Sequence, residues 1–286
     1  MSAAFRWSVR RELWEHRSIY LAPLAIAALV LVAFFFHAGA YIAAMTLVGK
    51  LPPEKQVFTA VMPYSLAAAV VLLSGWIVGI FYCLDALNGE RRDRSILFWK
   101  SMPVSDVTTV LSKAFIPMAV IPVAVCAIAL ATQAVMLVAH SAILLAKGID
   151  LGELWGRLPF VQMPIAMLYG MAIHTLWFAP IVGWLLLVSA WSRRATFAWA
   201  FLPFFAAYAF ETIAFGTSYV PQFLRSRVTG AMAHAFKPNA MREPITQLSQ
   251  LDPLRFLAAP GLWWGLVFAV AFVALAIRLR RHREPI

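Results

Sequence analysis

Charge is scarce in this chain, and acid most of all. Only 13% of its 286 residues are Asp, Glu, Lys or Arg, and 13 residues are acidic. An ordinary soluble domain carries about one quarter charged residues. Cysteine is rarer still: Cys83 and Cys126 both fall in apolar stretches, which excludes a disulfide-stapled secreted fold. No Gly-x-x-x-x-Gly-Lys-Ser/Thr run is present to cradle a phosphate, so this chain does not carry that ATP-hydrolysing machinery. Gly-x-Ser-x-Gly, His-Glu-x-x-His and clustered aspartates are missing too, which speaks against a membrane protease or phospholipid synthase.

Apolar residues are abundant. The set AVILMFWYC makes up 62% of the chain, against about 45–50% in a usual domain with glycine counted in. A water-soluble globule cannot hide so much apolar surface, and a disordered chain shows the opposite bias. A helix needs about 20 apolar residues to cross a hydrocarbon core roughly 30 Å thick. Six stretches qualify, near 18–38, 63–86, 112–140, 162–190, 195–215 and 258–279. None shows the ten-residue alternation of an outer-membrane strand. The expectation is an all-α, polytopic membrane protein forming one domain over 1–286, a bundle of six transmembrane helices. The fourth and fifth are joined by the tight turn Trp191–Thr196. The first has a basic lead-in and the small triplet Ala38-Gly39-Ala40, but its apolar run exceeds the 7–15 residues typical of a cleaved signal, so it reads as an uncleaved anchor.

Lys and Arg set the orientation. Fifteen of the 24 lie in 1–17, 87–111, 191–194, at Lys113 or after 277; nine lie in the longer loops 39–62, 141–161 and 216–257. The positive-inside rule then puts both termini in the cytoplasm of a cell (inner) membrane. The net charge of +11 marks topology and attraction to anionic lipid; nucleic acid is not needed as a partner. Residues 1–17 mix Arg6, Arg10, Arg11 and Arg17 with Phe5, Trp7 and Trp14, which suits an amphipathic helix in the headgroup plane as well as a plain charged flank.

The cytoplasmic loop 88–106 carries the most information. Gly89 is expected to cap the second span. Ser95 through Met102 read as a short amphipathic element stopped by Pro103, and Ser105 or Asp106 caps the third span. This run resembles the cytoplasmic loop of ABC-2-type transporter permeases. Gly89-Glu90-Arg91 is similar to the family's opening, Ser95-Ile96 stands for its Thr-Leu, and Pro103-Val104-Ser105 for its close. Lys113 falls where the family has a lysine near the start of its third helix. Arg94 and Leu97 depart from the pattern. The resemblance implies a type V exporter-like bundle with a coupling helix between helices 2 and 3. It implies a pair of permeases, a second copy or a paralogue, each bound by an ABC ATPase subunit that holds ATP and magnesium. On that resemblance Glu90, Arg91, Ser95, Ile96, Phe98, Trp99 and Pro103 are the ATPase-coupling residues, and this chain needs no cofactor of its own.

Ionisable groups inside spans are costly and are functional candidates by default. Glu211, near the outer end of the fifth span, reads either as a pathway or gating carboxylate or as one reached by water. Asp85 is expected to pair locally with Arg91 or Arg92. His37, His140 and His174 share a similar depth, but their spacing matches no metal motif. Gly75 and Gly79 form Gly-x-x-x-Gly, which allows close helix packing within the chain or across a dimer. Pro117, Pro122, Pro180 and Pro203 can kink their helices. Trp177, Trp184, Trp191, Trp199, Trp263 and Trp264 read as aromatic belt. The long outer loop 216–257 reads as a lid of short helices or as an unspecialised loop, with Leu251-Asp252-Pro253-Leu254 opening the last span. The function expected is the permease subunit of an ABC exporter for an amphipathic or lipid-like solute. An ion-coupled carrier without an ATPase is the alternative, and an intramembrane enzyme comes after it.

Overall fold

The computed structural model describes residues 3–93, 104–237 and 247–282. Among them the protein is all-helical; the only strand-like pairing is an isolated bridge between Phe236 and Leu251. Six helical segments are long and apolar enough to cross a membrane: Ser18–Val48, Lys55–Arg92, Asp106–Ala146, Gln162–Trp191, Thr196–Phe215 and Pro260–His282. They are called spans one to six below. The first runs ten residues past its expected end, because Gly39 sits in an unbroken apolar run and nothing before Gly49 stops the helix.

Span two packs between spans one and three. The Gly-x-x-x-Gly pair explains how close it comes to span three: a Cβ on Gly75 would lie 2.4 Å from Val125, and one on Gly79 would lie 3.8 Å from Ile121. The glycine face is therefore used inside the chain. Spans four and six form the other close pair, with Gly183 set against the backbone of Ala269. Span five is covered least; Phe205, Phe210 and Ile213 are all exposed along it. In lipid such a flank is at ease, since the solvent is itself apolar.

Several local devices shape the spans. Ser105 caps span three as expected, its hydroxyl accepting from the Thr108 N–H at 3.1 Å. Pro117 cannot donate a backbone hydrogen bond, and there the helix widens into a single π turn, Ile116–Val120. Span two does not end on Gly89. Its regular part stops at Asp85, and a short helix, Asn88–Arg92, resumes with Gly89 buried and at negative φ. A side chain at 89 would lie 3.2 Å from the Asp85 carboxylate, so glycine lets the short helix pass close to it. In the turn between spans four and five, Ala195 takes a left-handed conformation at φ 52°.

The stretch 216–257 is built more than the sequence suggested. A helix of 17 residues, Tyr219–Ala235, packs on span four, and the Phe236–Leu251 bridge ties its end to the chain leading into span six. Asp252 caps a separate short helix, Pro253–Leu257, and the last span begins only at Pro260. Trp177 is correspondingly not a belt residue. It is buried against this assembly, its indole N–H donating to the Ser226 carbonyl at 3.2 Å while the Arg227 guanidinium lies 4.9 Å over its ring. Trp263 and Trp264 are exposed, as a belt requires.

Candidate functional site

The N-terminal segment forms a helix, Ala3–Glu15. One flank presents Trp7 and Trp14 outward, with the Arg10 guanidinium 5.6 and 5.0 Å from their ring centres. The opposite flank turns Glu12 inward until it is fully buried. A lone buried carboxylate is prohibitively costly, and Glu12 is not alone. Its Oε1 accepts from Lys113 Nζ at 2.8 Å and from Arg11 Nη2 at 2.6 Å; its Oε2 accepts from the Tyr82 hydroxyl at 2.8 Å. Burial on its own would raise the Glu12 carboxyl, but the charges of Lys113 and Arg11 outweigh it and hold the group at about 2.

Lys113 is only 1% exposed and also reaches Glu90 Oε1, at 3.2 Å. Glu90 accepts from Arg11 Nη2 at 3.0 Å and from Arg280 Nη1 on span six. Arg280 Nε then donates to Asp106 Oδ1 at 3.0 Å. The result is a chain of three cations and three carboxylates that joins the N-terminal helix, the end of span two, the mouth of span three and the end of span six. The formal charges of these six groups cancel, and the half-exposed Glu15 lies beside Arg11 as well, at 3.5 Å.

Arg91, the next residue, faces elsewhere. Its Nη1 donates to the Ala190 and Ser192 carbonyls at 2.9 and 3.1 Å, at the C-terminal end of span four. Helix C-termini leave carbonyls unpaired and carry partial negative charge, so a cation suits them twice over. Asn88 donates to the same Ser192 carbonyl at 2.8 Å, and the Ser189 hydroxyl accepts from the Leu87 and Asn88 N–H groups while donating to Leu84. Asp85 pairs with Arg92 at 3.6 Å, as expected, but not with Arg91, which is taken up by span four.

Glu90 and Arg91 therefore share one buried root of the 88–106 loop and are fastened to different helices. Their side chains point into the protein. Ser95, Ile96, Phe98, Trp99 and Pro103 lie outside the described residues. Glu211 sits apart, and its carboxylate accepts from the Thr217 hydroxyl at 2.7 Å and from the Tyr219 and Val220 N–H groups, so it caps the Tyr219–Ala235 helix from the end of span five. The three histidines do not converge. His37 bonds its own helix at Ala33, His140 is buried between Tyr41 and Tyr64, and His174 lies against Trp76 and Phe178. Glu12, Glu15 and His16 are the one group among the described residues near enough to share an ion. Glu12 is already committed to Lys113, Arg11 and Tyr82, which leaves that group ill suited to a metal.

The sequence pointed to Glu90, Arg91 and Lys113 but not to Glu12 or Arg280. A usable signal was present: Lys113 stands alone in an apolar run, and a buried ammonium demands a carboxylate from elsewhere in the chain. No protein-family model matches the chain, and neither the curated proteins nor the solved structures contain a match to it.

Proposed function

We propose that this chain is the membrane subunit of an ABC-2-type, ATP-binding cassette exporter. It works as a pair in the cell membrane with both termini cytoplasmic, and it moves an amphipathic or lipid-like solute outward. ATP and magnesium are held by a separate ATPase subunit. The observation that supports this reading is the anchorage of the loop root. Glu90 and Arg91, two residues of the run that resembles the family's coupling loop, are bonded to the N-terminal helix and to spans three, four and six.

A force applied to the 94–103 segment from below needs a stiff root if it is to move helices rather than bend a loop. Glu90 and Arg91 provide it with charge-assisted bonds, the stronger class of hydrogen bond. In this reading they are positioning residues, and contact with the ATPase falls to Ser95–Pro103. The π turn at Ile116–Val120 lies about one helical turn beyond Lys113 in the same span and gives span three a place to flex.

The test is reconstitution of the purified chain with the ATPase subunit that co-purifies with it; absence of any such subunit also counts against the reading. Glu90→Ala is expected to leave ATP hydrolysis running while transport per ATP falls, and Trp99→Glu to weaken ATPase binding itself. Wild-type coupling in both variants, with the variants folded at the assay temperature, overturns the assignment. An ion-coupled carrier would transport in proteoliposomes with no ATPase present.

A further inference from the structure

A groove of about 750 Å³ opens between span two, span four and the Tyr219–Ala235 helix, on the far side of the bundle from the charged network. Its volume lies within the range of about 300–1,000 Å³ usual for small-molecule sites. The walls are mostly apolar and rich in methionine, with Met62, Met163, Met167, Met171 and Met232 among them; Ser65, Gln133 and His174 are the polar side chains there, and no Asp, Glu, Lys or Arg lines it. At its inner end Leu72, Trp76, Met171 and His174 also border a smaller void of about 50 Å³ that reaches the π turn at Pro117. The rings of Trp76, His174 and Phe178 pack against one another there, with centroids 4.0–5.0 Å apart.

Each feature restricts the occupant. A charged group would enter with no counter-charge and at high cost. Thioether side chains are flexible and polarisable and adapt to elongated hydrocarbon without fixing one shape. His174 supplies a polar point: among the described residues its ring nitrogens find no protein hydrogen-bond partner, and a neutral imidazole offers one donor and one acceptor. We infer that the groove is a binding site for an uncharged, elongated apolar molecule with one hydroxyl or carbonyl, held with that oxygen on His174. The inference names a substrate class for the exporter and rests on that reading only for the word substrate; binding itself requires no ATPase.

The experiment uses the full chain in detergent and a long-chain primary alcohol carrying a mid-chain diazirine. Photolabelling is expected to saturate, to be displaced by hexadecanol, and to map to peptides holding Trp76, Met167, Met171 or Met232. Ala69→Trp places a large ring in the groove from an exposed wall position and is expected to abolish saturable labelling at unchanged melting temperature. His174→Phe keeps the ring packing and removes the polar atoms. It is expected to weaken the alcohol about two- to tenfold, as for one neutral hydrogen bond, and to leave the matching alkane probe unaffected. Labelling that never saturates, that falls equally on the lipid-facing Phe205 and Ile213, or that hexadecanoate displaces as well as hexadecanol overturns the inference. In the chain reconstituted with its ATPase, saturable binding with no effect of the alcohol on ATP hydrolysis removes the word substrate and leaves the binding site standing.

Discussion

Replacing Lys113 with methionine tests the buried network most directly. The substitution keeps the length and bulk of the stem and removes one charge. Glu12, fully buried, then retains Arg11 and the Tyr82 hydroxyl, and Glu90 retains Arg11 and Arg280. Removing one partner of a buried pair costs about 3–5 kcal/mol, because the charge left behind stays desolvated. At roughly 2–4 °C per kcal/mol, the melting temperature should fall by roughly 10 °C. Cys83 and Cys126 are buried free thiols, so a thiol-reactive fluorophore reports unfolding in detergent directly. The pH dependence adds a second reading. In the native chain Glu12 is held at about 2, below its ordinary carboxyl value. Its contribution is therefore complete above the ordinary value and is lost as pH falls toward about 2. Without Lys113 burial is opposed less, Glu12 takes up its proton at higher pH, and the deficit of the variant should shrink between pH 7 and pH 4. The reasoning is refuted if Lys113→Met melts with the wild type at pH 7, or if its deficit grows on acidification.

Three further outcomes follow from local geometry. Gly75→Ala drives a methyl into Val125 and should cost about 1–3 kcal/mol as overpacking; Val125→Ala in the same chain should restore most of it, which melting of the single and double variants measures. Ala195→Gly relieves a left-handed backbone that costs a side-chain-bearing residue about 1–2 kcal/mol and should raise the melting temperature by a few degrees; a lowered value would mean the turn is not left-handed. Glu211→Ala removes the acceptor from the Tyr219 and Val220 N–H groups, so hydrogen exchange over 217–222 should quicken while exchange in span two stays unchanged.

The spans were legible because lipid imposes a requirement that composition alone can meet: about 20 apolar residues in a row, with every backbone group bonded internally. Gly75 and Gly79 were legible for a related reason, since close packing in lipid depends on small residues. The Tyr219–Ala235 helix was not, because its helical face is defined by what it covers. Gly230 and Gly261 admit Trp177, and Met232 and Phe236 meet Gly170, all of them contacts between distant parts of the chain. Gly89 does not cap span two because the regular helix stops earlier, at Asp85, and the short helix that follows is held by bonds from Asn88 and Arg91 to the end of span four, about 100 residues away. Glu12 was hidden by its neighbours. Set among four arginines and two tryptophans, it reads as part of a solvated flank, and its partner Lys113 lies 101 residues away. Only a helix folded back on the bundle brings the two together.

A network this deeply buried is a poor way to gain stability, and that bears on its purpose. Well-packed apolar residues commonly replace a buried ion pair at no loss, and apolar residues make up 62% of this chain. Removing Glu12 and Lys113 together takes away one charge of each sign and leaves Arg11 on Glu90 and the half-exposed Glu15, and Arg280 on Glu90 and Asp106. Glu12→Leu with Lys113→Met should accordingly recover most of the melting temperature lost by Lys113→Met alone. Apolar contact, though, does not fix one geometry as directed charged bonds do, and the N-terminal helix would then be free to slide over span three. The double variant is expected to be stable and yet to lose transport per ATP hydrolysed. Full coupling in a stable double variant would show that the network serves only to hold the N-terminal helix in place, and that the loop root transmits force without it.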